Sequence, residues 1–241
     1  MRLPALRSAA TLSHAVVETL RICAPTVLEA TVGRGAPHSV YDARLRSWSA
    51  HLLAHAGVRV SVEGLEHLGD RREVFLVMSN HQSHYDVPVL FQALPLQLRM
   101  IAKQELFRVP VWGEAMRVSG FVAIDRRDRA RAIESLALAK RRMVEEGISI
   151  WIAPEGTRSR DGRLGPFKSG GFHLALDAGL RVLPVTIVGT FDVLRAGGRA
   201  LGGRSDVRVV VHAPIDPRDY GHERRNELTD AVRAAIASAL P

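Results

Sequence analysis

The chain has 241 residues, 46% hydrophobic and 24% charged, an ordinary globular usage that excludes a disordered polypeptide and suits one domain with a small accessory piece, or two small domains. The lone Cys23 excludes an internal disulfide framework and a multi-cysteine zinc site, and no uncharged apolar run reaches the roughly 18 residues of an ordinary transmembrane helix. The net charge of +8 is spread as +1 over residues 1–70, +4 over 71–150 and +3 over 151–241; with 5% aromatics there is no aromatic–basic platform for nucleic acid, which leaves an anionic membrane or a phosphorylated small molecule as partner for the excess charge.

In chain order, residues 8–32 predict one or two helices of moderate amphipathicity, broken or kinked at Pro25. Arg2 and Arg7 precede this stretch, but its apolar part is weak and no cleavage site follows, so it is read as part of the mature protein without a signal peptide. Residues 33–37 form a linker, and 41–56 a helix that Gly57 stops. Strands are predicted at 58–62, 74–78, 99–102, 121–124, 148–152, 182–188 and 207–211. Helices are predicted at 88–93, 110–118, 129–146, 172–178 and 226–240, with Pro110 in a first turn and Ile133, Leu136, Ala137 and Val144 facing inward on the long one. The glycine–arginine stretch 197–203 reads as a mobile loop. Helices between short apolar strands indicate an α/β domain over 58–241, preceded by an N-terminal helical segment over 1–57.

Polar clusters follow three of these strands. Asn80-His81-Gln82-Ser83-His84-Tyr85-Asp86 comes after the second strand, at a strand end where open α/β sheets bind ligands. His81 and Asp86, five apart, diverge by about 140° on a helix and face opposite ways on a strand, so they meet only across a turn or helix start that Ser83 can cap. A histidine oriented by a carboxylate can take a proton from a hydroxyl as its oxygen attacks. The alternatives are a structural His–Asp pair, or a metal site from His81, His84 and Asp86 that no second cluster completes.

The second cluster runs from Ser119 to Arg127, where Arg126 can fork onto phosphate oxygens or pair with Asp125. The third is Pro154-Glu155-Gly156-Thr157-Arg158: Gly156 permits close backbone approach, Glu155 can accept from a hydroxyl or pair with an arginine, and Thr157, Arg158 and the turn N–H groups suit a phosphate. Lys168 and the glycines at 170 and 171 open the next helix, a plausible anion-binding end. Pro184 within an apolar strand suggests a sheet edge or a bulge near the site. No Gly-x-Ser-x-Gly elbow and no phosphate loop is present, which disfavours serine hydrolysis and nucleotide hydrolysis.

Taken together and in this order, Asn80-His81 with Asp86, Gly120 to Arg126, Pro154 to Arg158, and Val182 to Ile187 resemble the four motifs of the glycerolipid acyltransferase family, in its 1-acylglycerol-3-phosphate acyltransferase branch; Lys103-Gln104-Glu105-Leu106 with Pro110 and Gly113 adds to the likeness. The match covers roughly residues 58–190. Two departures are Ala153, where the family often has Phe, and the weak opening helix, where many relatives carry a hydrophobic membrane segment.

The resemblance implies a central mixed sheet flanked by helices. It implies an acyltransferase that moves an acyl group from acyl-coenzyme A or acyl carrier protein to the hydroxyl of 1-acylglycerol-3-phosphate, giving phosphatidate. His81 would be the base and Asp86 its partner, with no acyl-enzyme, cofactor or metal. Arg126, Glu155, Gly156, Thr157 and Arg158 would bind the acceptor, with Asn80, Ser83, Lys103, Gly120 and Pro184 in support. Residues 8–56 would be a lid or an interfacial anchor, placing the protein peripherally on the cytoplasmic face of an anionic membrane. Glycerol-3-phosphate or a lyso-aminolipid as acceptor, or a non-catalytic basic lipid-binding protein, are the competing readings.

Overall fold

In a computed structural model of the chain, the residues described are 3–33, 35–70, 73–125, 127–198 and 205–241. Most of the predicted loop at 197–203, and Arg126, lie outside them. The chain opens with α1 (Leu3–Thr31) and α2 (His38–Ala56). Then β1 (Val58–Glu63), β2 (Leu76–Ser79), α3 (Asp86–Ala93), β3 (Leu98–Lys103), α4 (Trp112–Val118), β4 (Val122–Ile124) and α5 (Arg129–Glu146) follow. The rest is β5 (Ser149–Ile152), α6 (Gly170–Ala178), β6 (Val182–Val188), the single turn α7 (Thr190–Val193), β7 (Ser205–Val211) and α8 (Arg225–Ser238).

The strands make one mixed sheet in the order β1-β7-β6-β2-β5-β3-β4. From β6 through β4 every neighbouring pair is parallel; β7 runs antiparallel to β6 and carries β1 parallel to itself. The central strands are buried on both faces, which is why β2 and β6 read as continuous apolar runs rather than alternating ones. Phe75, Val77, Trp151, Leu183, Val185 and Ile187 pack on one side with Leu53 of α2 and Val89 and Leu90 of α3. Leu76, Met78, Ile150 and Val182 pack on the other with Met143 of α5, Phe172 of α6 and Leu228, Val232 and Ile236 of α8. Each such fully buried side chain contributes roughly 1.5–3 kcal/mol from apolar burial.

Four details refine or correct the sequence reading. Helix α1 is continuous, with Pro25 inside it. Its anchors lie on both sides of that proline (Ile22 and Cys23 before, Val27 after, packed with Trp48 of α2 and Trp112 of α4), so tertiary contacts outweigh the one hydrogen bond the ring removes. On α5 the inward stripe is Leu136, Ala139 and Met143; Ile133, Ala137 and Val144 face solvent, since a 3.6-residue period admits one stripe and the sheet selects the one bearing the longer Met143. The predicted helix at 110–118 begins only at Trp112, because Val111 takes φ 65°, a left-handed value that ends the preceding turn rather than starting a helix. Finally, Pro184 lies in an interior strand and not at an edge. The bulge is present: β6 and β7 pair as Val185↔Val211, but the next bridge is Val182↔Ile215, so residues 212–214 oppose residues 183–184 and one residue is extra.

Arg99 is fully buried at the start of β3. It donates to Asp42 of α2 at 2.6 Å, to the Leu98 carbonyl at 2.8 Å and to the Ser119 carbonyl, and so ties the second helix to the sheet. Among the described residues, no helix is long and apolar enough to cross a membrane.

Candidate active site

The site lies at the carboxyl ends of β2 and β5, which are neighbours. The chain leaving β2 enters α3 on one face of the sheet, and the chain leaving β5 enters α6 on the other. Connections that part to opposite faces leave a crevice between adjacent strand ends, the usual ligand position in open α/β sheets.

His81 and Asp86 meet there. Asp86, fully buried at the start of α3, turns back across the 81–85 turn, and its Oδ2 lies 2.6 Å from His81 Nδ1. The same oxygen accepts the backbone N–H groups of Gln82 at 2.8 Å and Ser83 at 2.9 Å. A carboxylate fixed by two backbone donors favours a proton on Nδ1 of the facing ring and leaves Nε2 with its lone pair. The Trp151 ring and the imidazole pack edge to face, with centroids 5.6 Å apart, and Trp151 is itself held by its Nε1–H on Ser79 Oγ at 2.9 Å. The histidine can therefore act as an oriented base.

Glu155, predicted at the acceptor, is buried and points inward. Its Oε1 accepts the His81 N–H and its Oε2 the Gly165 N–H, both at 2.8 Å. Burial raises its pKa above the usual carboxylate value, while those two backbone bonds and the charge of His81 act in the opposite direction. The loop is stitched to the His81 turn twice more, by Ser159 N–H on the His81 carbonyl at 2.7 Å and by Gln82 Nε2 on the Gly162 carbonyl at 2.9 Å. Gly156 takes φ 73°, and the Lys168 side chain lies over it so closely that a Cβ there would sit 3.0 Å from Nζ.

Arg158 is half-buried and Thr157 exposed beside this turn. His84 sits at the rim; partial desolvation and the nearby charges of Arg158 and His81 hold its imidazole below the usual histidine range, with Asp86 opposing them. Asn80 works behind the site, its amide bonding Ile187 N–H and carbonyl at 2.8 Å each and so pinning β2 to β6. Ser83 Oγ accepts the Tyr85 N–H at 3.1 Å and donates to the Leu194 carbonyl at 2.7 Å. Lys103 is exposed at the end of β3 and pairs with Glu105 at 3.0 Å. Gly120 is the buried left-handed turn between α4 and β4, and Pro184 is buried beside Met78. Among the described residues, no three His, Cys, Asp or Glu side chains are grouped to hold a metal.

Sequence reasoning missed Gln82, Gly165 and Trp151. A tryptophan inside the strand that leads to Glu155 was an available signal for Trp151; the other two depend on which loops become neighbours.

With this geometry in hand, comparison with known proteins is informative. The model of the family described as Acyltransferase matches residues 59–188. The chain is 36% identical over 182 residues, 76% of its length, to the chloroplastic 1-acyl-sn-glycerol-3-phosphate acyltransferase BAT2 of Brassica napus, of which it covers 51%. It is 32% identical over 191 residues to the alpha 1-acyl-sn-glycerol-3-phosphate acyltransferase of Mus musculus, covering 77% of this chain and 66% of that protein. The chain thus spans about half the length of the plant relative and two thirds of the mouse one. The crystal structure of the 1-acyl-sn-glycerophosphate acyltransferase PlsC from Thermotoga maritima superposes with a TM-score of 0.81 at 24% identity, covering 99% of this chain and 97% of that one, which establishes the shared fold. The matched segment contains both the His81–Asp86 pair and the Glu155 turn, and on that match the chain belongs to the acyltransferase family.

Proposed function

We propose that the protein transfers a fatty acyl group from an acyl thioester, carried by coenzyme A or acyl carrier protein, to the free hydroxyl of 1-acylglycerol-3-phosphate, giving phosphatidate. The observation that carries this reading is the His81–Asp86 pair at 2.6 Å, set beside the 155–158 turn. His81 Nε2 removes the hydroxyl proton as the oxygen attacks the thioester carbonyl. The tetrahedral intermediate collapses, the carbon–sulfur bond breaks, and the imidazolium returns the proton to the thiolate. Asp86 fixes the ring and stabilises the imidazolium.

Transfer without an acyl-enzyme is supported by how the nearby hydroxyls are spent. Ser79 donates to the Asn80 carbonyl, Ser83 to the Leu194 carbonyl and Ser159 to Asp161, so each of these protons is engaged elsewhere than on His81. The buried Cys23 lies in α1, its thiol pushed up to about 11 by burial, and so stays protonated.

The acceptor's phosphate is assigned to Arg158, Arg126 and the Gly156–Thr157 backbone. Glu155 is assigned the task of holding His81, since it is buried and its oxygens accept the His81 and Gly165 N–H groups. The reaction as proposed uses no cofactor. We place the protein peripherally on the cytoplasmic face of an anionic membrane, with α1 as the contact. The polarity of α1 supports this: Glu18, Arg21 and Glu29 pair with His51, Ser47 and Arg44 of α2, while Leu12, Val16, Val17, Leu20 and Leu28 are 46–68% exposed on the other side.

The test is a donor-by-acceptor panel with purified protein. Thioester-dependent acylation of 1-acylglycerol-3-phosphate is expected, weakened when the acceptor lacks its phosphate. Equal turnover on phosphate-free acceptors would remove the role of the arginines. Vesicle binding without turnover on any thioester would replace the enzyme with a lipid-binding protein.

A further inference from the structure

We propose that Arg233, far along the chain on α8, is a positioning residue for His81. This rests on the acyl-transfer reading above. Residues 153–169 form no helix or strand, so the path of this segment past the site depends on the bonds that pin it. Arg233 supplies the pin from behind. Its Nη1 donates to the Gly165 carbonyl and its Nη2 to the Leu164 carbonyl at 3.2 Å, one planar fork on two successive peptides. The guanidinium also lies over the Phe167 ring, 5.3 Å from its centroid.

Gly165 is therefore gripped at both ends. Its carbonyl accepts from Arg233, and its N–H donates to Glu155 Oε2 at 2.8 Å. Glu155 Oε1 then accepts the N–H of His81 at 2.8 Å, and His81 carries the Asp86 bond. A continuous line of hydrogen bonds thus joins α8 to the backbone of the base. Its far end is rigid, because Leu228, Val232 and Ile236 of α8 are fully buried on either side of Arg233. Lysine at 233 could reach one carbonyl but not fork across two, and methionine could cover Phe167 but donate to neither.

The experiment compares wild type, Arg233→Met, Arg233→Lys and Leu228→Ala, the last weakening the apolar packing of α8 while keeping both Arg233 bonds to the loop. Hydrogen exchange is read on peptides covering 78–85 and 156–168, and kcat and KM are read at temperatures well below each variant's unfolding. Arg233→Met is expected to speed exchange in both peptides, to lower kcat about tenfold and to change the acceptor KM less than twofold, with Arg233→Lys recovering part of kcat. Leu228→Ala should leave kcat near wild type. Unchanged exchange at 78–85 in Arg233→Met, or a kcat loss matched by Leu228→Ala at equal stability, would overturn the assignment. An inactive wild type with the exchange coupling intact would instead overturn the acyl-transfer reading and leave the clamp standing.

Discussion

Two regions of the molecule bury carboxylates, and they do it differently. At the ends of β2 and β5, Asp86 and Glu155 are each held by two backbone N–H groups. Between α1 and α2, Glu18 is held by the side chains of Arg21 and His51. Backbone donors cannot change rotamer, so the first arrangement fixes atoms to the precision that proton transfer needs. Side-chain donors can re-pair, so the second holds a helix in place while letting its other face be apolar. Under the proposed function, the contrast separates a region that positions from one that attaches.

The largest test of the positioning region is removal of the base. His81→Ala and Asp86→Asn are each expected to lower kcat by about 10²–10⁴-fold, and the double variant to be little worse than His81→Ala alone, because the two act as one unit. Steady-state turnover of all three decides it; full activity in His81→Ala would end the proposed role. For the proposed attaching region, Val16→Gln with Leu20→Gln should weaken sedimentation with anionic vesicles by about tenfold, the loss of a little under two buried methylenes, while soluble-acceptor turnover stays unchanged. Binding equal to wild type would detach α1 from any lipid role. Arg158→Ala should raise KM for the phosphorylated acceptor more than it lowers kcat, about tenfold for one lost charge-assisted bond.

The smallest effect is the most discriminating. The paired bonds of Glu18 hold its pKa below the usual value, so its contribution to stability is present above the unfolded pKa and lost as pH falls through the folded one. Burial holds that of Glu155 above the usual value, so its contribution runs the other way: the native state binds the proton first, and stability falls as pH rises through the carboxylate range. Urea midpoints against pH should therefore show the penalty of Glu18→Gln growing with pH and that of Glu155→Gln shrinking. Slopes of the same sign would erase the distinction between the two regions.

Much of this was legible in the chain because it is local. The bounds of α5 and β6 follow from Gly147, the apolar run from Val182 and the flanking turns. His81 and Asp86 are five residues apart, so the turn that joins them could be anticipated. What escaped is non-local. That Glu155 faces His81 depends on β5 lying beside β2, 74 residues apart in sequence, and a carboxylate at a strand end reads equally well as a ligand for substrate. Pro25 left one helix or two open, because local propensity says nothing of Ile22 and Cys23 packing on α4. Ile133 and Val144 misled because two adjacent stripes on α5 are both apolar enough, and only the sheet chooses between them.

Gln82 and Ser83 hold Asp86, and Gly165 holds Glu155, through their peptide N–H groups, which every residue except proline possesses. For these bonds the path of the chain carries the instruction and the letter does not. Proline at 82 or 83 should accordingly cost more than loss of the bonds that the Gln82 and Ser83 side chains make to the Gly162 and Leu194 carbonyls, and 165 should tolerate few substitutions, since any Cβ there would sit 3.0 Å from Glu155 Oε2. A catalytic centre written in this way can drift in sequence around a fixed pair of reacting groups.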